Sequence, residues 1–162
     1  MIKQQKYKQK GFTLIEMVVV IAVMGILMGM AFQGFTTIQA NARDTRRVAD
    51  LRRMQTQLEL YFARCGHYPT AGPCGTPGTG TGSRTRDQLI TALEIVGIRR
   101  GEVPDDPMAA KDYFYNFGTN GLGYVIGATM ERRGNNPEVT GDIFGLNCGT
   151  TAVPGTTFCL QS

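Results

Sequence analysis

Few side chains in this sequence could carry out nucleophilic catalysis. His67 is the only histidine, and the only serines are Ser83 and Ser162. Ser83 closes a Gly-, Pro- and Thr-rich stretch, residues 70–83, which reads as a loop that cannot hold a Ser/His triad in register. Cys65 and His67 have the types of a nucleophile and base pair, yet Cys65 is the better disulfide candidate. We therefore expect no enzymatic activity.

The four cysteines favour disulfide bonds over metal binding or thiol chemistry. They are Cys65, Cys74, Cys148 and Cys159, in stretches rich in Gly, Pro and Thr. Four cysteines allow three pairings, and the one that closes the shortest loops joins Cys65 to Cys74 and Cys148 to Cys159. Buried free thiols are the alternative. Zinc is less favoured, because the chain has no C-x-x-C pair and a single histidine.

Glu16 lies inside a long apolar run. Residues 12–32 read FTLIEMVVVIAVMGILMGMAF, in which only Thr13 and Glu16 are clearly polar. As a helix this run is about 30 Å long, enough to cross the core of a bilayer. An ionised carboxylate there costs on the order of a few kcal/mol without a partner, and the run contains no Lys, Arg or His. Glu16 therefore either reaches the lipid headgroups or forms an intermolecular salt bridge.

Positive charge is concentrated ahead of this run. The chain of 162 residues has a formal net charge of +4, and its first ten residues hold four lysines and no acidic residue. The remaining basic residues balance the 13 acidic ones, so a generally basic binding surface is not indicated. The lysines favour a cytoplasmic N-terminus with the rest of the chain outside, although Arg43, Arg46 and Arg47 on the far side weaken that orientation.

Beyond residue 34 the pattern becomes that of an amphipathic helix. One helix is predicted over residues 12–65, ended by Gly66. Interior glycines weaken it, and we expect a bend or local melting near Gln33 and Gly34 on assembly. The face of this helix that is expected to pack on the head consists of residues that recur at roughly three- and four-residue steps: Ile38, Ala42, Thr45, Ala49, Leu51, Leu58 and Phe62.

The rest of the chain predicts a small head. Thr85–Gln88 has the form of a capping box and begins a short helix that ends by Gly97. Tyr113–Phe117 and Tyr124–Glu131 are rich in β-forming residues, and together they predict an antiparallel hairpin over the long helix.

The segment from Lys10 to Glu16, KGFTLIE, resembles the class III signal of type IV prepilins and type II secretion pseudopilins. The resemblance implies that a prepilin peptidase cuts between Gly11 and Phe12 and methylates the new N-terminus at Phe12. It also implies that Glu16 pairs with the Phe12 α-amine of a neighbouring subunit, which would compensate a buried charge. The implied fold is α+β and type IV pilin-like, with a long N-terminal helix packed under a small head that carries an antiparallel hairpin or sheet.

The resemblance also implies the organisation and role of the chain. The leader peptide is 1–11, the transmembrane and filament-core half of the helix 12–34, its amphipathic half 35–65, and the head with its Cys-closed loops 66–162. The expected function is that of a major or minor pilin, inserted in the cytoplasmic membrane as a precursor and then built into an extracellular filament. The implied partners are other pilin subunits, the prepilin peptidase, a membrane assembly platform and, before assembly, the lipid bilayer.

Two alternatives stay open within this resemblance. Val103–Pro107 is a turn that also resembles a segment of major pseudopilins, which would place the filament in the periplasm or envelope. That subfamily often binds calcium in a late loop, and Asp142 is the candidate ligand, although no cofactor is otherwise expected. DNA binding as a competence pilin is the further alternative, and it would use the arginines at positions 84, 86, 99, 100, 132 and 133.

Overall fold

The structure, a computed structural model, describes residues 11–132, 140–149 and 157–162, with the side chains of residues 31–34 excepted. The predicted leader therefore lies outside the described residues, apart from Gly11. The chain divides into two compact units, Met1–Gln39 and Ala40–Ser162, and the division falls within the first helix.

Helix α1 runs from Leu14 to Cys65, close to the predicted 12–65. Gly66 ends it with a positive φ of 76°, and its amide donates to the Phe62 carbonyl at 2.8 Å. A glycine suits this position because the left-handed conformation costs it no clash with a Cβ atom. The helical range includes Gln33 and Gly34, so a bend or melting on assembly stays a prediction.

The first unit presents an exposed apolar helix. Leu14, Ile21 and Met30 are each more than 60% exposed, as are several neighbours along the same segment. Within α1 an 18-residue window has a mean hydropathy of 2.5, and α1 is the one described helix that is long and apolar enough to cross a membrane. A segment of this kind needs lipid or other helices to cover it.

The face that α1 buries within the second unit differs from the predicted one. Ala42, Thr45 and Ala49 are exposed, and Ile38, which belongs to the first unit, is 63% exposed. The prediction was wrong there because it followed small and apolar residues, whereas the buried face begins with two charged ones. Its members recur at alternating three- and four-residue steps: Asp44, Arg47, Leu51, Met54, Leu58, Tyr61 and Cys65.

A four-stranded antiparallel sheet packs on this face. Its strands are β1 (Gly82–Arg84), β2 (Phe114–Phe117), β3 (Tyr124–Thr129) and β6 (Thr157–Gln161), in the order β1-β2-β3-β6. The predicted hairpin is β2 and β3, paired with Tyr115 opposite Ile126. Residues 82–83 were predicted as loop, and the structure instead places them in the short edge strand β1, where Gly82 packs closely on the Phe117 ring.

A small second hairpin covers the outer face of the sheet. Strands β4 (Gly141–Ile143) and β5 (Leu146–Cys148) pair with each other, and their apolar residues pack with Val125 and Cys159. Asn116 Nδ2 also donates to the Phe144 carbonyl at 2.9 Å, which ties this hairpin to β2. Strand β3 is therefore buried on both faces, which explains its nearly continuous apolar sequence.

Helix α2 (Arg86–Glu94) completes the core as predicted. Thr85 is its N-cap, and its side chain and that of Gln88 form the reciprocal hydrogen bonds of a capping box. The helix buries Leu89, Ile90 and Leu93 against the sheet and α1, and Gly97 follows it with a φ of 91°. The predicted α+β fold, a long helix with an antiparallel sheet in the head, is confirmed.

Candidate functional site

The first turn of α1 contains the residues expected to act in processing and assembly. Thr13 Oγ1 accepts from the Glu16 amide at 3.3 Å, and Glu16 Oε2 accepts from the Thr13 amide at 3.4 Å. This reciprocal pair is a capping box, which satisfies two amides at the helix start. The Glu16 carboxylate is thus held at the beginning of an exposed apolar helix.

Gly11 and Phe12 precede the helix. Both are exposed, Phe12 to 81%, and neither has helical backbone. A scissile bond must be reachable and free of helical hydrogen bonding, and the Gly11–Phe12 bond satisfies both conditions. Cleavage there, methylation of Phe12 and the intermolecular pairing of Phe12 with Glu16 stay predictions, because they involve partners outside this chain.

Both local disulfide bonds are present in the structure. Cys65 and Cys74 are joined across a separation of nine residues, which closes the loop after α1. Cys148 and Cys159 are joined across eleven residues, which fastens β5 to β6 and so holds the small hairpin on the sheet. Among the described residues no cysteine is free. The pairing that closes the shortest loops is therefore the one that the structure forms.

A buried ionic cluster joins α1 to the head, and sequence reasoning missed it. Arg47 is fully buried, and its guanidinium donates to Asp106 through Nε and Nη2 at 2.7 and 2.9 Å. Its Nη1 donates to both Asp44 and Glu131 at 2.7 Å. A fully desolvated arginine is tolerable only with such partners. One side chain therefore links the helix to the Pro104–Pro107 turn and to the end of β3.

The carboxylates of this cluster also accept hydrogen bonds from groups other than Arg47. Asp44 accepts from the backbone amides of Glu131 and Arg132, at 2.9 to 3.1 Å. Arg43 donates to both oxygens of Glu131, and these bonds, with those from Arg47, lower the pKa of Glu131 to about 2. Burial acts to raise the pKa of Asp106, but the bonds from Arg47 and the Met108 amide outweigh it and leave that pKa lowered. The lowered pKa values of Glu131 and Asp106 keep these two carboxylates ionised at neutral pH.

A signal for this cluster was present in the sequence. The three- and four-residue steps of the buried helix face extend back from Leu51 through Arg47 to Asp44, so the spacing would have placed both charges toward the core. Asp106 had been interpreted as part of a turn that resembles a segment of major pseudopilins, and not as the partner of a buried charge. Its partner is 59 residues earlier in the chain, a separation that no local pattern reveals.

Asp142, the candidate calcium ligand, lies in β4 and is exposed. Its Oδ1 accepts from the Gly145 amide at 2.8 Å, so it stabilises the turn between β4 and β5. The described residues contain no group of three or more His, Cys, Asp or Glu that could hold a metal ion. Calcium binding at Asp142 stays a prediction, to be tested by a calcium titration followed by thermal melting.

The remaining candidate residues have structural contacts. Cys65, considered as a nucleophile, is bonded to Cys74 in a disulfide. His67, considered as its base, is buried, and its Nδ1 lies 2.8 Å from the Tyr68 carbonyl oxygen. Of the arginines considered for DNA, Arg86 lies 3.5 Å from an Asp105 oxygen, Arg100 pairs with Asp87 at 2.7 Å, and residue 133 lies outside the described residues. Two of the six arginines are thus engaged in ion pairs, and DNA binding stays a prediction, to be tested by salt-dependent retardation of DNA.

The comparisons with known proteins agree on the N-terminal region. Residues 6–32 match the family model described as the prokaryotic N-terminal methylation motif. The chain is 42% identical over 67 residues to fimbrial protein EcpB of Eikenella corrodens, covering 41% of this chain and 42% of that protein. It is 29% identical over 87 residues to a fimbrial protein of Neisseria meningitidis, covering 54% and 50%.

A secretion protein is similar over the same part of the chain's length as EcpB, at a lower identity. The chain is 33% identical over 66 residues to type II secretion system core protein G of Aeromonas hydrophila, covering 41% of this chain and 46% of that protein. The match spans about half the length of the curated relatives, and no solved structure matches the chain. The relatives are named as fimbrial and secretion-system proteins, which supports a non-enzymatic role at the level of the family.

The methylation motif, the relatives and the fold of a long apolar helix with an antiparallel sheet point to one assignment. They support a place for this chain in the superfamily of type IV pilins and type II secretion pseudopilins, to which its N-terminal region is similar.

Proposed function

We propose that this protein is a structural subunit, a major or minor pilin, of a type IV pilus-like filament. The observation that carries the proposal is the capping box of Thr13 and Glu16 at the start of an exposed apolar helix, within the segment that matches the methylation motif. The precursor is held in the cytoplasmic membrane by this helix with its N-terminus inside. A prepilin peptidase cuts between Gly11 and Phe12 and methylates Phe12.

Assembly brings the helix from lipid into the core of the filament. Glu16 then pairs with the Phe12 α-amine of a neighbouring subunit, which compensates two charges in apolar surroundings. The exposed apolar residues of the first unit, from Leu14 to Met30, supply the surface that the filament buries. A membrane assembly platform is the partner that this transfer requires. The chain itself carries no reaction.

The pseudopilin of a type II secretion system is the second candidate. It is favoured by the similarity to core protein G, which covers 41% of this chain, the same share as the match to the fimbrial protein EcpB. We prefer the pilin because the paired C-terminal cysteines, joined here as Cys148–Cys159, resemble those of pilins more than those of pseudopilins. The disulfide itself suits either location, since the periplasm is oxidising as well.

The decisive experiment identifies the N-terminus of the chain in different cell fractions. Filaments are sheared from cells, separated from envelopes, and the N-terminal peptide in each fraction is determined by mass spectrometry. N-methylated Phe12 in the sheared fraction is expected for a surface pilin, and the same form confined to the envelope indicates a pseudopilin. Chains that begin only at Met1 in both fractions would overturn the filament-subunit proposal.

A further inference from the structure

A cleft in the head lies apart from the first turn of α1 and from the Arg47 cluster. It lies between α2, strand β1 and the loop closed by the Cys65–Cys74 disulfide. Its larger part, about 410 Å³, is lined by Ala71, Ser83, Arg84, Gln88, Thr91 and Phe117. An adjoining part of about 320 Å³ shares Ala71, Arg84 and Thr91 with it. Volumes of this size are those of small-molecule sites.

Arg84, the one charged residue among the described ones that line both parts, has no ion pair to a carboxylate there, unlike several other arginines. Its Nη1 donates to the Gln88 carbonyl at 2.9 Å, and among the described residues no carboxylate forms an ion pair with it. A guanidinium has five N–H donors, so most of those on Arg84 are available to a ligand. Ion pairs to carboxylates engage the arginines at positions 43, 46, 47, 86 and 100.

The other polar groups of the cleft are neutral. Ser83 offers a hydroxyl, and Gln88 uses its Oε1 on the Thr85 amide, which leaves its Nε2 donor available. Thr91 Oγ1 donates to the Asp87 carbonyl at 3.0 Å and can still accept a hydrogen bond. No acidic side chain is among the described residues that line either part. The cleft thus combines one positive charge with neutral hydroxyl and amide groups.

We propose that this cleft binds a small organic ligand that carries one carboxylate and several hydroxyl groups, as a uronic acid does. Arg84 anchors the carboxylate, because a guanidinium binds this group through two parallel hydrogen bonds. A single positive charge matches a monocarboxylate better than a doubly charged phosphate. Ser83, Gln88 and Thr91 bond the ligand's hydroxyl groups. This role is additional to filament building and does not depend on it.

The test compares D-galacturonate with D-galactose, the same sugar without the carboxylate, on the full-length protein in detergent micelles. Saturation-transfer NMR and the amide shifts of Ser83 and Thr91 report binding. We expect galacturonate to bind and galactose to bind about tenfold more weakly or not at all, because one charge-assisted hydrogen-bonded pair is lost. Equal binding of the two sugars, or no binding of galacturonate, would overturn the proposal.

Variants of the cleft complete the test. Arg84→Gln should weaken galacturonate binding by about tenfold or more, whereas Arg99→Gln, an exposed arginine outside the cleft lining, should leave it unchanged. Arg84→Lys keeps the positive charge but cannot form the two parallel hydrogen bonds, so it should bind galacturonate with intermediate affinity. This second variant keeps the test valid if Arg84→Gln fails to fold. Wild-type affinity in both Arg84 variants would contradict the assignment of Arg84 as anchor.

Discussion

Arg47 shows at the residue scale how one buried charge can hold a helix to its head. Replacing it with methionine would leave Asp44, Asp106 and Glu131 without their common cation. We expect Arg47→Met to lower the free energy of unfolding by about 3–5 kcal/mol, as when one partner is removed from a buried ion pair. Urea unfolding of the full-length protein in detergent micelles measures this change.

The matched control is Arg46→Met, one position earlier in the same helix. The Arg46 side chain is 65% exposed and has one ion pair, with Asp50 at 3.6 Å. Its loss should change the free energy of unfolding by less than about 1 kcal/mol, because water screens exposed pairs. Equal effects of the two substitutions would show that the cluster adds nothing beyond surface charge.

Glu131 gives the cluster a pH dependence. The pKa of Glu131 in the folded protein is lowered to about 2, from its ordinary value of 4.5. Its contribution to the free energy of unfolding is therefore fully present above pH 4.5 and is lost as the pH falls through 2. We expect the wild type to be more stable than Glu131→Gln by on the order of 1–3 kcal/mol at pH 7, and this difference to shrink between pH ~4.5 and ~2. Urea unfolding at a series of pH values measures it.

The exposed residue Glu94 provides the comparison for this experiment. Glu94→Gln should follow the wild-type profile throughout the acid range. A constant difference between the wild type and Glu131→Gln down to pH 2 would mean that Glu131 is not held ionised by Arg43 and Arg47.

Single residues also mark the limit of what could be predicted from the sequence. Glu16 was predictable because a charge in an apolar run is conspicuous without any knowledge of the fold. The helix spacing would have placed Arg47 toward the core, but its partners Asp106 and Glu131 were not predictable, because they come from distant parts of the chain. The chemistry of a buried charge is set by partners that only the tertiary fold supplies.

At the scale of elements, the connection between β2 and β3 depends on Gly121. Its φ is 65°, and a Cβ built there would lie 2.8 Å from the Tyr68 carbonyl oxygen, which belongs to the segment that follows α1. We expect Gly121→Ala to destabilise the head by about 1–3 kcal/mol through backbone strain and this contact. Thermal melting monitored by circular dichroism measures it.

Gly101 is the matched control for this substitution. It lies in the one-turn 3₁₀ helix Arg100–Glu102, has no positive φ, and a Cβ there would meet nothing within 4 Å. Gly101→Ala should be neutral or slightly stabilising, since it reduces the freedom of the unfolded chain. Similar losses of stability from both substitutions would contradict the inference that the β2–β3 connection requires glycine at position 121.

The second hairpin depends on a covalent link. The disulfide between Cys148 and Cys159 joins β5 to β6, and the apolar contacts of that hairpin are few. The double variant Cys148→Ala/Cys159→Ala should lose about 2–4 kcal/mol of stability. Hydrogen exchange should show the loss first at β4 and β5, while the amides of β2 and β3 stay protected. Uniform deprotection of the whole sheet would contradict this order.

Elements differ in how far the sequence determines them. Helix α2 was predictable because its capping box, Thr85 to Gln88, is a local signal. Strand β1 was not, because Gly82 and Ser83 have no strand preference and pair only because β2 offers them an edge. The buried face of α1 was misplaced for a different reason, since the prediction followed small and apolar residues and passed over the charged Asp44 and Arg47.

At the scale of the whole molecule, the two halves of α1 have different roles. The half within the second unit is fixed in the head through Leu51, Leu58 and the Arg47 cluster. The half within the first unit, by contrast, is exposed and apolar, with Glu16 as its one acidic residue. A change at Glu16 should therefore affect assembly without affecting the fold of the head.

Glu16→Ala tests this separation in cells. The substitution removes the carboxylate that would neutralise the Phe12 amine of a neighbouring subunit, and an uncompensated charge in an apolar core costs several kcal/mol per subunit. We expect sheared filaments to be lost while the envelope retains the processed chain with both disulfides formed. Glu94→Ala, an exposed change on α2, should leave filament yield unaltered. Filaments of Glu16→Ala at wild-type yield would mean that Phe12 finds its compensation elsewhere, and the proposed assembly contact would have to be abandoned.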